Sequence, residues 1–482
     1  MLWYWLTTST EETGRSHLSD NSSYEKPSLA VLGLGHVGLP TALGFAEMGW
    51  EVIGADDDAS KVAMIRSGHA PFYEPGLDEM LAGVLAGGRL TLTQCVEEAV
   101  RAATILFVCV GTPQKDSGEA DLSQVEAIAR TIARNLNGYK LIVEKSTVPA
   151  ITAQWIKRTV GRFAKHADAP GGLHAEFEVA SNPEFLQEGK AFENIFRPDR
   201  IVVGVESERA RALLQRLYQS LDCPILFTNV STAELTKHAA NAFLSTKISF
   251  INMVADICDE VGADVGQVAL GMGLDPRIGT EFLNAGIGFG GYCFPKDLRS
   301  FMHLAHEHKV DCQLLREVEK VNLQRAEVFL KKVRHAVWVL KGKKIGVLGL
   351  AFKGGTDDIR ESPALRIVKL LLEEGARLQV HDPQAMEASR QEVPPQAGRL
   401  EYCSSAYEAA REAHALLILT EWQEYRKLDF SRLHALMEVP VIVDGRNLLD
   451  PEVARASGFE YIDMGRHARA EQPVTTVESA SS

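Results

Sequence analysis

The chain is short of cysteine, of long apolar runs and of excess positive charge, and each shortage excludes a class of protein. It has seven cysteines among 482 residues, and none forms a C-x-x-C pair. Neither a disulfide framework nor a cysteine-ligated metal site is therefore expected. No uninterrupted apolar stretch reaches the roughly 18 residues that cross a bilayer. Acidic residues outnumber basic residues by 64 to 51, which argues against general nucleic-acid binding.

Length and composition instead predict a globular protein of the cytoplasm with more than one domain. A chain of 482 residues is too long for a single hydrophobic core. Few, scattered cysteines fit a reducing compartment, and no metal, membrane or nucleic-acid partner is expected. Both ends are polar and rich in Ser and Thr. Residues 1–27 and 469–482 are therefore predicted to be a disordered extension and a disordered tail.

Short apolar segments alternate with helical stretches in two separate parts of the chain. Near the start, the buried-strand candidates are SLAVL, EVIGAD, TILFVCV and KLIVEKS, and EVASN and RIVVGV extend the same region. The alternation resumes at KKIGVLGLAF and continues to PVIVDG. Such alternation is typical of a parallel sheet with helices on both faces. The sequence thus predicts an α/β protein with two Rossmann-like doubly wound domains, at 28–228 and 336–468.

The intervening residues, 229–335, have a helical pattern. A long proline-free stretch with apolar periodicity starts near Asn229 or Ser231, either of which can cap its first turn. A second helical stretch is DCQLLREVEKVNLQRAEVFLKKVRHAV. Helices of this length commonly join domains or subunits, so we expect a central all-helical dimerisation domain.

A glycine-rich segment follows the first predicted strand and opens a helix. In Gly33-Leu-Gly35-His-Val-Gly38, the first glycine permits a tight turn, the second allows a pyrophosphate to approach the backbone, and the third allows close helix packing. Asp56 ends the second strand, where a carboxylate accepts hydrogen bonds from ribose hydroxyls. The motif in this context predicts dinucleotide binding, and Asp56 favours NAD over NADP, although Lys61 and Arg66 lie nearby.

A cysteine stands in a second glycine-rich segment, Gly288-Phe-Gly-Gly-Tyr-Cys293-Phe-Pro-Lys296-Asp297. The glycines are expected to leave backbone N–H groups open and to admit a bulky substrate. A nearby cation, Lys296, favours the thiolate form of a cysteine. The segment therefore predicts that Cys293 is a nucleophile.

Other polar residues are expected to converge on the same site. Lys237 and Asn241 stand four apart in an apolar helix, so they share one face and can donate to an oxygen that gains charge. Polar segments also follow three strands, as VGTP at 110–113, EKSTVP at 144–149 and NPEFLQEG at 182–189. Doubly wound sheets place ligand loops at such strand ends.

From about Ser28 to about Asp450 the chain resembles the UDP-glucose dehydrogenase family, within the UDP-glucose/GDP-mannose dehydrogenase superfamily. The segments that carry the resemblance are GLGHVGLP, APFYEPGLDE, VGTP, EKSTVP, NPEFLQEG, RPDRIVVG, ELTKHAANAFLSTKISFIN, DPRIGTEFLNAGIGFGGYCFPKD, GLAFKGGTDDIRESPA and VDGRN. The resemblance implies oxidation of UDP-glucose at C6 to UDP-glucuronate with two NAD⁺ per product, in a homodimer or a higher homo-oligomer. The second α/β domain lacks GxGxxG, which suits the UDP of the substrate.

The resemblance also implies roles for individual residues. Cys293 would form a thiohemiacetal and then a thioester, Lys237 and Asn241 would stabilise the oxyanion, and Glu184 would act as acid and base. Asp297 and Thr147 would position or activate water. Cofactor contacts would fall on Gly33, Gly35, Val37, Gly38, Asp56, Lys61, Thr112, Thr147, Glu188, Lys296 and Arg360. Substrate contacts would fall on Glu184, Phe185, Leu186, Gln187, Glu188, Lys237, Asn241, Arg277, Phe282, Leu283, Asn284, Ala285, Gly286, Gly290, Lys353 and Arg446, with Arg277 reaching over from the neighbouring subunit.

Three alternatives remain open on the sequence. The same chemistry could act on a UDP-N-acetylhexosamine or on GDP-mannose, although the segment around Cys293 is more similar to the UDP-glucose branch. A hydroxyacid dehydrogenase with a catalytic lysine would need neither Cys293 nor a third domain. A non-enzymatic NAD-sensing or scaffold protein would not need Cys293, Lys237 and Asp297, and all three are present.

Overall fold

The computed structural model describes residues 27–115, 118–164 and 176–466. Residues 1–26 of the predicted extension and the whole predicted tail lie outside these ranges. Two parallel-rich sheets, one in each half of the chain, are separated in sequence by a group of helices. The predicted α/β architecture of two Rossmann-like units and a helical centre is thus confirmed. None of the described helices is both long enough and apolar enough to span a membrane.

The first sheet has eight strands in the order β3-β2-β1-β4-β5-β6-β7-β8. These are β1 (Leu29–Leu32), β2 (Val52–Ala55), β3 (Leu90–Thr93), β4 (Ile105–Val108), β5 (Lys140–Glu144), β6 (Phe177–Ser181), β7 (Ile201–Gly204) and β8 (Ile225–Thr228). In the central strand, Leu29 is aligned with Val52 on one side and with Ile105 on the other. Successive residues of β1 join two core clusters on opposite faces, as strands buried on both sides require.

Within 27–115, 118–164 and 176–228, eight helices accompany this sheet. They are α1 (Gly38–Glu47), α2 (Ala59–Arg66), α3 (Leu77–Ala86), α4 (Val96–Ala102), α5 (Ser123–Arg134), α6 (Thr152–Ala164), α7 (Ala191–Phe196) and α8 (Glu208–Tyr218).

The sheet is not parallel throughout, so the expectation for the segment RIVVGV was wrong. Strand β7 pairs with β6 in antiparallel fashion through Ser181 and Gly204, and β8 is parallel to β7. A parallel crossover must carry the chain back to the opposite edge of the sheet, usually along a helix. The connection 182–200 contains only the short helix α7, whose Ile195 packs against Gly44 of α1. The chain therefore stays at the edge where β6 ends and returns in the other direction.

Four helices form the central region: α9 (Val230–Val261), α10 (Val265–Gly273), α11 (Cys293–Glu307) and α12 (Gln313–Val337). Asn229 caps α9, since its side chain accepts a hydrogen bond from the backbone N–H of Thr232. Gly262 ends this helix in the left-handed conformation, with φ of 74°. Helix α9 packs against both α11 and α12 and reaches β6 and β7 of the first sheet. It therefore connects the first sheet to the rest of the molecule.

The second sheet has six parallel strands in the order β11-β10-β9-β12-β13-β14, the same pattern as the first six strands of the other sheet. The strands are β9 (Lys344–Leu348), β10 (Arg377–His381), β11 (Leu400–Tyr402), β12 (Ala415–Ile418), β13 (Val441–Asp444) and β14 (Glu460–Ile462). Its helices are α13 (Pro363–Glu373), α14 (Met386–Glu392), α15 (Ala406–Ala409), α16 (Phe430–Leu436) and α17 (Pro451–Ala456). This is the strand order of a dinucleotide-type fold.

An aspartate after the second strand secures the first loop in both units. Asp56 accepts a hydrogen bond from the N–H of Leu34 at 2.7 Å, and Asp382 accepts one from the N–H of Leu350 at the same distance. The Asp382 carboxylate, which is buried, also accepts from the N–H of Ala351 and from the indole of Trp422. The carboxylate oxygens of Asp382 thus accept hydrogen bonds from groups of the protein itself.

The number of donors at Asp382 predicts a large loss of stability on its removal. Asp382→Ala leaves several buried N–H groups without an acceptor, and we expect the free energy of unfolding of the second unit to fall by about 3 kcal/mol or more. Asp429→Ala is the matched control, because Asp429 is exposed and only caps α16. It should cost about 1 kcal/mol. Equal effects of the two changes in denaturant unfolding would contradict this assignment.

Candidate active site

The glycine-rich loop after β1 has room for a phosphate where the motif predicts it. Gly33 has φ of 95°, and a Cβ on it would lie 2.8 Å from the carbonyl oxygen of Cys109. A Cβ on Gly38 would lie 1.8 Å from the carbonyl oxygen of Gly33, whereas one on Gly35 would meet nothing within 4 Å. Val37 precedes α1, and no side chain of the described residues caps that helix start. The loop therefore offers open space beside Gly35 at the N-terminal end of α1, which fits the pyrophosphate of NAD.

Asp56 stands beside this loop with a cation next to it. Its carboxylate is buried, and the Lys61 ammonium lies 2.9 Å from Oδ2. His36, within the loop, stacks on Phe72 with ring centroids 4.1 Å apart. Burial and the Arg360 charge lower the pKa of His36 to about 4, so its ring is neutral at physiological pH. Asp56 can still serve a ribose, but Lys61 balances part of the charge that would repel a 2′-phosphate.

Cys293 is the first residue of α11. The glycines that precede it have close neighbours, contrary to what the sequence predicts. A Cβ on Gly290 would lie 2.3 Å from the carbonyl oxygen of Glu361, and one on Gly291 would lie 2.7 Å from the Phe352 ring. The expectation that these glycines open the loop to a substrate is therefore corrected. They allow the loop to pack closely against the chain between β9 and α13, which fixes Cys293 between the two sheets.

Two buried pairs of side chains surround the thiol. Lys237 of α9 forms an ion pair with Glu184 at 3.1 Å, and both side chains are only 4% exposed. Asn241, one turn later, donates from Nδ2 to Oδ2 of Asp297 at 2.5 Å. Asp297 also forms an ion pair with Lys296 through Oδ1 at 2.8 Å. Glu184, Lys237 and Asp297 all act on the charge state of Cys293. The predicted helix-face pair and the strand-end glutamate are thus brought together at the cysteine.

The surroundings of the thiol favour its protonated form. Burial raises the pKa of Cys293 to about 12, the Glu184 carboxylate adds to the rise, and the Lys237 ammonium acts against it. Lys296, which the sequence predicts to promote the thiolate, forms an ion pair with Asp297 at 2.8 Å, so part of its charge is balanced there. Lys296 points instead toward Thr112 Oγ1 and the carbonyl oxygen of Thr147, each 3.4 Å away.

Loops from three neighbouring strands converge on this cluster. Thr112 follows β4, Thr147 follows β5 and Glu184 follows β6, and these strands are adjacent in the sheet. The Thr112 hydroxyl donates to the carbonyl oxygen of Thr147 at 2.9 Å. Parallel strands end at one edge, so Lys296 connects the cysteine helix to the edge that carries the glycine-rich loop.

Glu188 and Arg360 form a second charged group nearby. Arg360 pairs with Asp358, lies 3.9 Å from Glu188 and covers the Tyr292 ring at 4.4 Å. Burial raises the pKa of Glu188 to about 8, with the Asp358 charge adding to the rise. Lys353 also acts electrostatically on Glu188.

Several expected substrate residues line one cavity of about 620 Å³ between the 182–200 loop and α9. They are Glu184, Phe185, Leu186, Gln187, Lys237, Asn241 and Phe282. Phe282 has φ of 65°, which turns the chain sharply before the glycine-rich segment. The cavity thus unites the segment after β6 with the central helix.

The other expected substrate residues lie elsewhere. The side chains of Leu283 and Ala285 are buried in a core cluster with Ile251, and a Cβ on Gly286 would lie 2.7 Å from the carbonyl oxygen of Gly445. Asn284 is exposed, and Arg277 is 87% exposed and paired with Asp275. Within this chain these residues do not reach the thiol cluster.

The Arg446 side chain binds backbone carbonyl groups and does not face open space. Its guanidinium donates to the carbonyl oxygens of Gly288, Phe352 and Leu419 at 2.8 to 2.9 Å. It therefore ties the end of β13 to the glycine-rich segment.

Sequence reasoning missed three buried side chains that hold these loops. Glu74 accepts from the N–H groups of Gly189 and Ala191, at 2.7 and 2.8 Å. Glu234 and His238 of α9 bond to the segment after β5. The helical spacing of Glu234 and His238 beside Lys237 was the available signal, since polar residues in an apolar stripe require partners.

A dinucleotide loop and a buried cysteine cluster, joined at the edge of one sheet, define an NAD-dependent dehydrogenase. Three family models match the chain in order. They are the NAD binding domain of the UDP-glucose/GDP-mannose dehydrogenase family at 28–222, its central domain at 231–324 and its UDP binding domain at 346–451. The chain belongs to this family.

Known relatives cover nearly the whole chain. UDP-glucose 6-dehydrogenase TuaD of Bacillus subtilis is 42% identical over 91% of this chain and 93% of its own length. UDP-glucose 6-dehydrogenase of Rhizobium meliloti is 43% identical over 91% of this chain and 99% of its own. A UDP-glucose dehydrogenase structure from Pyrobaculum islandicum has a TM-score of 0.84 at 39% identity, covering 92% of this chain and 99% of its own.

The raised pKa of Cys293 predicts how fast it is alkylated. Iodoacetamide reacts with thiolate, so the rate of modification of Cys293 should rise about tenfold per pH unit from 7 to 10 without levelling off. Peptide mass spectrometry of quenched samples measures this rate. Cys95, whose side chain is partly exposed as that of Cys293 is, is the internal reference. A plateau below pH 8 at Cys293 would show a preformed thiolate.

Proposed function

We propose that the protein oxidises UDP-glucose at C6 to UDP-glucuronate in two successive steps, with Cys293 as the covalent nucleophile. The observation that carries the proposal is the position of Cys293, at the start of α11 among Lys237, Glu184 and Asp297 and next to the dinucleotide edge. A simple alcohol dehydrogenase has no use for such a cysteine. An aldehyde gives up a second hydride readily only after a nucleophile makes it tetrahedral.

The overall reaction balances as UDP-glucose, two NAD⁺ and one water giving UDP-glucuronate, two NADH and three protons. Bound NAD⁺ supplies the hydride acceptor for each oxidation. Between the oxidations, the Cys293 sulfur bonds to C6 of the aldehyde and the thiol proton passes to the former carbonyl oxygen. After the second oxidation, C6 is a thioester carbon. Water then adds to it, the C–S bond breaks and the sulfur recovers a proton.

The two buried pairs, Lys237 with Glu184 and Asn241 with Asp297, supply the charged and polar groups for these steps. Lys237 and the Asn241 amide can donate to the oxygen on C6 as it gains charge. Glu184, bonded to Lys237, can take a proton and return it. Asp297 and Thr147, joined through Lys296, stand where a water can be oriented. Because the thiol is neutral at rest, its proton must leave during attack rather than before it.

Similarity favours UDP-glucose among nucleotide sugars. The relatives named UDP-glucose 6-dehydrogenase reach 43% identity, whereas a UDP-D-ManNAc dehydrogenase structure from Pyrococcus horikoshii reaches 30% with a TM-score of 0.78. We propose that the unit at 28–228 holds NAD, and that the unit at 336–468 holds the UDP of the substrate, helped by Lys353 and Arg446. We expect the protein to be located in the cytoplasm.

We further propose a homodimer or higher oligomer through the region 229–335. Phe243, Phe250 and Ile257, seven residues apart on α9, are 65%, 44% and 53% exposed. Residues at this spacing lie on one helix face, and an exposed apolar face of this kind is typical of a subunit interface. Arg277, which is exposed and paired with Asp275 within its own chain, would then reach the partner's substrate.

Stoichiometry tests the proposed reaction. With limiting UDP-glucose and excess NAD⁺, absorbance at the NADH band should show two NADH per sugar, with little free aldehyde trapped by a hydrazine reagent. UDP-N-acetylglucosamine, UDP-N-acetylmannosamine and GDP-mannose complete the panel. One NADH per sugar with aldehyde release, or preference for another sugar, would contradict the proposal.

Cys293→Ser tests the nucleophile. A serine hydroxyl is a weaker nucleophile at neutral pH, so kcat should fall by several orders of magnitude while the Kd values for NAD⁺ and UDP-glucose change little. Cys258→Ser, in the buried core of α9, is the matched control and should keep its kcat. Retention of more than about a tenth of kcat in Cys293→Ser, a barrier change under about 1.4 kcal/mol, would rule out covalent catalysis.

Complementation between inactive variants tests the shared site. Arg277→Ala and Cys293→Ser subunits, each inactive alone, are co-expressed with different tags and the mixed dimer is purified. One of its two sites then has its own Cys293 and the partner's intact Arg277, so the mixed dimer should recover about half of wild-type activity. No recovery in a verified mixed dimer would show that Arg277 does not act across subunits.

A further inference from the structure

The segment that carries Thr147 is held by the central helix rather than by its own sheet. Residues 145–151 join β5 to α6, and Thr147 is expected to act on water in the reaction. Glu234 of α9 reaches this segment from 83 positions away in sequence, and its buried carboxylate accepts from the N–H of Ile151 at 2.7 Å and from the N–H of Ala153 at 2.8 Å. One carboxylate thus satisfies two of the N–H groups at the start of α6.

The backbone conformation of Ile151 indicates that contacts from outside this segment maintain it. Its φ is 79°, in the left-handed region, which a β-branched residue rarely adopts. Such a conformation persists only when surrounding contacts determine it. The carboxylate of Glu234 bonds directly to the N–H of this residue. At neutral pH the carboxylate is ionised, since burial raises its pKa only to about 6.

His238, one turn further along α9, bonds to the same segment. Its Nε2 lies 2.7 Å from the carbonyl oxygen of Val148, the residue after Thr147. A carbonyl only accepts, so Nε2 carries the proton and donates. Burial lowers the pKa of His238, so the ring is neutral and Nδ1 carries no proton. Nδ1 has no hydrogen-bond partner among the described residues, which leaves Val148 as the polar contact that fixes the ring.

The other side of Thr147 is bonded to the cofactor edge. Its carbonyl oxygen accepts from the Thr112 hydroxyl at 2.9 Å and lies 3.4 Å from the Lys296 ammonium. The Thr147 peptide is therefore fixed between Lys296 on one side and the α9 pair on the other. Lys237 and Asn241 stand on the same helix as Glu234 and His238. A displacement of α9 would move all of these groups together.

We propose that Glu234 and His238 are positioning residues, which hold Thr147 in its active geometry by bonding the strained segment 148–153 to α9. The proposal rests on the proposed function, in which Thr147 acts on water. Neither residue touches the reacting atoms in this account. Each acts through the backbone of the Thr147 segment.

Hydrogen exchange tests the holding contact without any substrate. In Glu234→Ala, the amides of a peptide covering 147–153 should exchange at least tenfold faster than in the wild-type protein. Glu126→Gln is the control, because Glu126 is exposed on α5 and pairs with Arg130 at the surface. It should leave exchange in this peptide and kcat unchanged. Unchanged exchange in folded Glu234→Ala would overturn the proposal even if the enzyme activity differs from the one proposed.

Kinetics then test whether the contact acts through Thr147. Glu234→Gln should lower kcat for NADH formation from UDP-glucose at least tenfold, with KM changed by less than threefold. The same change in a Thr147→Ala background should cost less than threefold, since the group being positioned is gone. His238→Gln, which keeps a donor at the place of Nε2, should retain at least a third of kcat, whereas His238→Leu should lose at least tenfold.

The outcomes separate this inference from the proposed function. Equal losses from Glu234→Gln with and without Thr147, or equal losses from the two His238 variants, would overturn the positioning role while the wild-type protein still makes two NADH per UDP-glucose. Absence of that stoichiometry in the wild-type protein would overturn the proposed function, and the exchange result would then still decide whether Glu234 holds the segment.

Discussion

A buried ion pair between Lys237 and Glu184 is the contact on which the site depends. Taking both charges out of water costs several kcal/mol per ion, so the pair forms only when α9 and the loop after β6 are docked with good geometry. Docking places Asn241 against Asp297 and brings α11 to the edge of the first sheet. The cysteine cluster is therefore a product of tertiary assembly, and none of the three elements contains it alone.

The same assembly determines the chemistry of the thiol. Cys293 lies among the carboxylates of Glu184, Asp297 and Glu188 and the ammonium of Lys237, and burial of the sulfur together with these carboxylates favours the neutral thiol. Lys296, which follows closely in sequence, forms an ion pair with Asp297. Its ammonium also lies near the carbonyl oxygen of Thr147. The site thus favours a protonated thiol and places the Lys237 ammonium close enough to act on its charge.

The sequence patterns correctly predicted the features that depend on residues close together in the chain. The alternation of apolar strands and helices gave both sheets, and strand-end segments such as EKSTVP and NPEFLQEG were rightly placed at one edge because parallel strands end together. The antiparallel turn at β7 was missed, since a strand has the same composition in either direction. Contacts between distant backbone and side chains were also missed. Glu74 binds the N–H of Gly189 across 115 positions, and Arg446 binds the carbonyl of Gly288 across 158, with no local pattern to reveal either. The glycines near Cys293 were misjudged for the same reason, because their neighbours come from the second unit.

If Cys293 becomes covalently bonded to C6 of the substrate, as proposed, the peptide that contains it must gain mass during turnover. The wild-type protein is mixed with NAD⁺ and UDP-glucose, quenched in acid during turnover and digested at low pH. We expect the peptide that contains Cys293 to carry the added mass of UDP-glucose less four hydrogens, which is the thioester, and this form should disappear when substrate is exhausted. An unmodified Cys293 peptide throughout turnover, with two NADH formed per sugar, would contradict it.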